Sequence, residues 1–158
     1  MKGFTFINLL VTITIIGILA LFGSAVIYGG IDCREKEITG WITRAKVHGV
    51  IGEVGAVHLM VQQYQLNHNG QFPTDMSQFG TDPWGNEYVL LDHSTVEGQG
   101  KKRKYKSQVP ANPSLGYDLY SKGPDGKTAT PMVSTPGGDD IVLAGDGQWI
   151  GVACLYGE

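Results

Sequence analysis

Residues 4–28, FTFINLLVTITIIGILALFGSAVIY, run for 25 positions without one formally charged side chain. As a helix rising about 1.5 Å per residue, this stretch spans roughly 37 Å, more than the ~30 Å hydrocarbon core of a bilayer. The rest of the chain is polar, rich in glycine and punctuated by turns. The sequence therefore predicts a greasy N-terminal rod joined to a small globular part. A secretory signal does not describe the rod: the apolar run is too long, and the small residue suited to cleavage, Gly3, comes before it. Lys2 is the one charged side chain ahead of the rod. By the positive-inside tendency it stays cytoplasmic and sends the C-terminal part across the membrane.

The whole chain has 158 residues, which leaves room beyond the rod for one domain near the lower size limit for independent stability. A net charge of −3 carries no nucleic-acid footprint, so no nucleic-acid partner is expected. The 23 glycines follow no collagen-like or low-complexity period. Cys33 and Cys154 are too few for a disulfide scaffold and lack metal-ligand spacing. In an oxidising compartment they are open to an intrachain bridge, an intersubunit bridge or two free thiols.

Gly29-Gly30 ends the apolar run, and an amphipathic helical stretch is expected from there to about Asn67. Within it Val47, Val50, Val54, Val57, Val61 and Tyr64 recur at spacings of three and four. A second row, Ala45, Gly49, Gly52, Ala56 and Met60, lies about 120° away. One reading puts the valines on a sheet and the small residues in solvent. The other has the small residues admit another backbone at close range, as between membrane helices. Asn67-His68-Asn69-Gly70 stops the helix, and Asp82-Pro83-Trp84-Gly85-Asn86 reads as a tight turn. Strand candidates follow at 87–91, 117–120 and 140–144. One long helix and then three short strands predict an α+β unit, its antiparallel sheet laid on the C-terminal half of the helix.

Lys2-Gly3-Phe4-Thr5-Phe6-Ile7-Asn8-Leu9-Leu10-Val11, with Ile15-Ile16-Gly17-Ile18-Leu19-Ala20, resembles the cleavage-methylation segment of type IV pilins and type II secretion pseudopilins. Phe72-Pro73-Thr74, Thr81–Tyr88, Tyr117–Ser121, Gly123-Pro124-Asp125-Gly126 and Asp139-Asp140-Ile141 resemble the major pseudopilin of type II secretion in order and spacing. The resemblance implies a pilin-like fold with a leader at 1–3, a membrane and filament-core segment at 4–28, its helical continuation at 29–67 and a sheet domain at 68–158. It also implies that a prepilin peptidase cuts after Gly3 and methylates Phe4. Further implied partners are other copies of the chain in a helical homopolymer, an inner-membrane assembly platform, minor pseudopilins and membrane lipid. The N-terminus would be cytoplasmic and the domain periplasmic.

Two departures bear on assembly. Asn8 stands where the family carries a Glu that pairs with the amine of a neighbouring subunit, and Ala25 stands where a Pro is common. The segment from Thr74 to Asp82 is shorter than usual, while the Asp125–Asp139 loop and the C-terminal tail are longer. These leave open a minor or tip subunit, or a surface type IV pilin, beside the secretion pseudopilus. A membrane-tethered binding module that never polymerises is the reading from another class.

The resemblance further implies calcium in loop 122–141, with Asp125, Asp139 and Asp140 as side-chain ligands and Lys122 as a carbonyl donor. Hard oxygen donors among turn-forming glycines suit calcium's six to eight oxygens, although the alternating acidic pattern of an EF-hand is absent. Read alone, the same residues are simply turn formers.

Elsewhere the chain offers little chemistry. Lys101–Lys106 is a dense basic run, read as a solvated loop or a guarded strand edge, the other reading being contact with acidic partners, anionic lipid or nucleic acid. His48, His58, His68 and His93 have no metal spacing. Nothing pairs Asp118 or Glu97 with a second catalytic group, and no nucleophile elbow or phosphate loop occurs, so no enzymatic activity is expected. Trp84 and Trp149 are expected as core anchors.

Overall fold

The computed structural model describes residues 6–96, 102–105 and 110–157. The apolar run forms helix α1 (Phe6–Tyr28), and its most apolar window buries nothing inside the chain. By length and composition α1 can cross a membrane. Its threonine and serine hydroxyls bond to the helix's own backbone: Thr12 donates to the carbonyls of Asn8 and Leu9, Thr14 to that of Leu10, and Ser24 to that of Leu21. Such back-bonding leaves the rod's exterior apolar at these polar positions.

The expected uninterrupted continuation from residue 29 is replaced by a small ribbon, strand β1 (Ile31–Asp32) paired antiparallel with β2 (Glu37–Ile38). Helix α2 (Trp41–Asn67) starts only after it. The cause is a close crossing of the chain over itself. A Cβ on Gly29 would lie 2.1 Å from the Thr39 carbonyl, and Gly40 has φ +73°. Only glycine fits both positions. Thr39 N–H donates to Gly30 O (2.8 Å), Gly30 N–H to Thr39 Oγ1 (2.9 Å), and Thr43 Oγ1 to Tyr28 O (2.6 Å), so the last turn of α1 is tied to the first of α2.

Strands β3 (Val89–Asp92), β4 (Tyr117–Ser121), β5 (Ile141–Ala144) and β6 (Trp149–Val152) form an antiparallel meander in chain order. The first three match the expected candidates, and β6 is additional. It returns through Gly145-Asp146-Gly147, all at positive φ, an Asp-Gly hairpin signal present in the sequence. The fold is α+β, with an apolar N-terminal helix and a small antiparallel sheet.

Both faces of this sheet are covered. On one face Tyr117, Leu119, Ile141, Leu143 and Val152 meet the five α2 valines, each at most 2% exposed. Ala45, Gly49, Gly52, Ala56 and Met60 are exposed on α2. The valines thus cover the sheet, as the first reading of the two rows has it. On the other face Tyr120, Val142 and Ala144 pack with Ala111, Met132 and Ala153 from irregular segments. Lys104 N–H donates to Thr130 O and Met132 N–H to Lys104 O, which stitches those segments into a second layer. The described part of the basic run is therefore structural and not a solvated loop.

Candidate functional site

The acidic loop is built on the tight turn at 82–86. Asp82, 3% exposed, accepts the backbone N–H groups of Trp84 (3.0 Å) and Asn86 (2.8 Å) and the Ser121 hydroxyl (2.6 Å). Asn86 Nδ2 in turn donates to Gly123 O (3.1 Å), fixing the start of the loop. Gly123 has φ +65°, and a Cβ there would lie 2.3 Å from Asp139 O. That close approach sets the 122–126 turn directly on Asp139.

There Asp125 N–H donates to Asp139 Oδ2 (3.3 Å), while Asp139 Oδ1 is buried without a hydrogen-bond partner. Burial, then the Asp125 charge, pushes the Asp139 carboxyl above its usual range. Lys122 sits half-buried at the head of the turn. Asp140 does not join this pair. Its Oδ2 accepts from Thr128 Oγ1 (2.6 Å) and forms an ion pair with the Arg103 guanidinium, both residues being almost fully buried. Burial pushes Asp140 up to about 6 against the opposing pull of Arg103. The set carried over for calcium is thus divided between two neighbourhoods, Asp125 with Asp139 and Asp140 with Arg103. Asp140 Oδ1, like Asp139 Oδ1, is buried without a hydrogen-bond partner. Among the described residues, no cluster of three or more His, Cys, Asp or Glu is arranged to hold a metal.

Gly3 and Phe4 lie outside the described residues, as do Glu97, Lys101 and Lys106. Asn8 is exposed in the first turns of α1. Cys33 and Cys154 form an intrachain disulfide that joins the ribbon to the short 3-10 turn Ala153–Leu155. It packs on Gly138 of the acidic loop, where a Cβ would lie 2.9 Å from Cys33 Sγ. Of the histidines, His58 Nδ1 lies 2.7 Å from the Tyr117 hydroxyl, His68 stacks on Tyr64, and His93 Nε2 lies 3.2 Å from Asp118 Oδ1. Trp84 is packed against the core, and Trp149 against the outer cluster with Tyr156.

An open groove of about 1070 Å³ runs between the foot of α1, the ribbon and the acidic loop. Asp32, Asp125 and Asp139 line it, with Arg34, Lys46 and Trp84. Sequence reasoning missed Arg103, Thr128 and the supporting roles of Asp82 and Ser121. A usable signal existed for the first: Arg103 is the one arginine in a run of lysines, and arginine suits buried ion pairs better. No family model, no curated protein and no solved structure matches this chain.

Proposed function

We propose that the chain is a pilin-like structural subunit, assembled from the inner membrane into a type II secretion pseudopilus that drives protein export. One observation carries the reading. A rod whose most apolar window is left unburied by its own chain is tied to a small α+β head, behind a segment that resembles a prepilin cleavage site. An uncovered apolar helix needs an apolar surrounding. Lipid supplies it before assembly, and the rods of neighbouring subunits supply it afterwards. Transfer between two apolar environments is close to neutral, so an assembly motor need add little. Subunits added at the base would then push a secreted protein outward. Nothing in this mechanism requires calcium.

Asn8 favours a second reading, a minor or tip subunit, because an amide supplies no charge to a neighbour's amine. The test is to co-express the full chain with a prepilin peptidase. Mass spectrometry would read cleavage after Gly3 and methylation of Phe4, and electron microscopy would read filaments. Filaments from the chain alone support the major subunit, and filaments only with a second pilin support the minor one. A chain that stays uncut, forms no filament and still supports its cellular role would be a tethered binding module, and the proposal would fall.

A further inference from the structure

The groove at the foot of α1 opens where the chain would leave a bilayer. Helix α1 has 23 residues, and at about 1.5 Å per residue it outreaches a hydrocarbon core of about 30 Å, which leaves Tyr28 at the interface. Tyr28 is 64% exposed, and Trp41, the first residue of α2, is 60% exposed. Such rings favour the headgroup layer, which is apolar on one side and wet on the other. Thr43 ties this turn of α2 to Tyr28 O, so both rings sit at the junction of rod and head. Tyr28, Gly29 and Gly30 also line the groove, which sets it at the same depth. Its charges are of both signs. Arg34 and Lys46 are the cations, and Lys46 Nζ donates to Pro83 O (3.3 Å) at 5.9 Å from the centre of the Trp84 ring. Asp32, Asp125 and Asp139 are the anions. Asp32 Oδ1 accepts the N–H groups of Arg34 (2.8 Å) and Glu35 (3.3 Å), and Asp125 Oδ1 accepts that of Lys127 (2.7 Å). The Oδ2 of each accepts no hydrogen bond among the described residues.

We propose that this groove seats the headgroup of a membrane lipid that carries both a phosphate and a primary ammonium, as phosphatidylethanolamine does. Arg34 and Lys46 take the phosphate, and the spare oxygens of Asp32 and Asp125 take the ammonium N–H groups. Charge complementarity selects this headgroup over its neighbours in a bilayer. Phosphatidylglycerol would bring a net negative charge to three carboxylates and offer them no cation. Phosphatidylcholine keeps the positive charge, but its quaternary nitrogen has no N–H to donate, and charge-assisted hydrogen bonds are the strong ones. A seated lipid holds the head against the bilayer until the rod is drawn out. The inference rests on α1 lying in a membrane, and not on the chain polymerising.

The experiment uses the full chain in detergent micelles doped with equal amounts of the three phospholipids, in chelator so that no divalent ion competes for the carboxylates. Native mass spectrometry reads which lipid stays bound. The wild type is expected to retain phosphatidylethanolamine about tenfold over each of the others, the worth of one charge-assisted hydrogen bond. Asp32→Asn with Asp125→Asn keeps an Oδ1 for the backbone N–H groups in both turns, and should bring phosphatidylethanolamine down to the level of phosphatidylcholine. Arg34→Gln with Lys46→Gln should lower the retention of both. Equal retention of the three lipids by the wild type would overturn the inference, as would the wild-type preference persisting in the double Asn chain. A dimer peak in place of the lipid adduct would give the groove to a second copy and overturn it as well. If a variant fails to fold, the wild-type preference decides alone. An alkaline wash of the chain in vesicles separates the two readings: a chain that washes out brings down the membrane anchor and this inference with it, while a chain that stays embedded without the preference brings down the groove alone.

Discussion

Asp82, itself buried, collects the part-buried Trp84 and Asn86 backbone N–H groups and the buried Ser121 hydroxyl. Removing the carboxylate leaves those donors unmatched, so Asp82→Ala should cost about 2 kcal/mol. Urea unfolding would read this as a lower midpoint at unchanged slope. His58 works in the opposite electrostatic sense. Burial holds its imidazole below the usual 6.5, and the folded state keeps it neutral beside the Tyr117 hydroxyl. The unfolded chain takes up the proton first as the solution is acidified. Stability from this group is therefore complete above pH 6.5 and is lost as pH falls below it. Melting temperatures between neutral pH and about pH 5 should fall less steeply in His58→Gln than in the wild type.

For the elements, α2 carries two rows with opposite fates. Val54→Ala opens a void in the core and should cost about 2 kcal/mol. Gly52→Ala meets nothing within 4 Å and should add up to about 1 kcal/mol through helix propensity. If the exposed row packs on a neighbouring subunit, the same Gly52→Ala chain should be more stable alone yet form fewer filaments, a split that calorimetry and electron microscopy resolve together.

The valine period, the apolar rod and three strands were legible because each is a local pattern strong enough to survive tertiary context. The ribbon was not. Glu35, Lys36 and Glu37 are residues that helices and loops accommodate, and what breaks the helix is a contact between Gly29 and Gly40, eleven positions apart. Strand β6 hid for a related reason. Gly151 lies under the Trp149 ring, where a Cβ would come within 2.7 Å, so packing and not strand propensity holds it. The acidic loop was legible as Asp–Gly turns, but its arginine was not. Arg103 and Asp140 are 37 residues apart, and no spacing rule reaches that far.

At the level of the whole molecule, the sheet lies between α2 and a layer of irregular segments, and the disulfide pins the ribbon at the rod's foot to the last turn of the chain. The bridge spans a sequence separation of 121 residues, worth about 5 kcal/mol by the chain-entropy argument. Tension arriving through the rod is handed across that bridge to the opposite terminus and bypasses every strand between. The head is loaded as a closed ring. Stretched from its two ends in an optical trap, the oxidised chain should conceal the contour length of those 121 residues, on the order of 400 Å, and release it only under reductant.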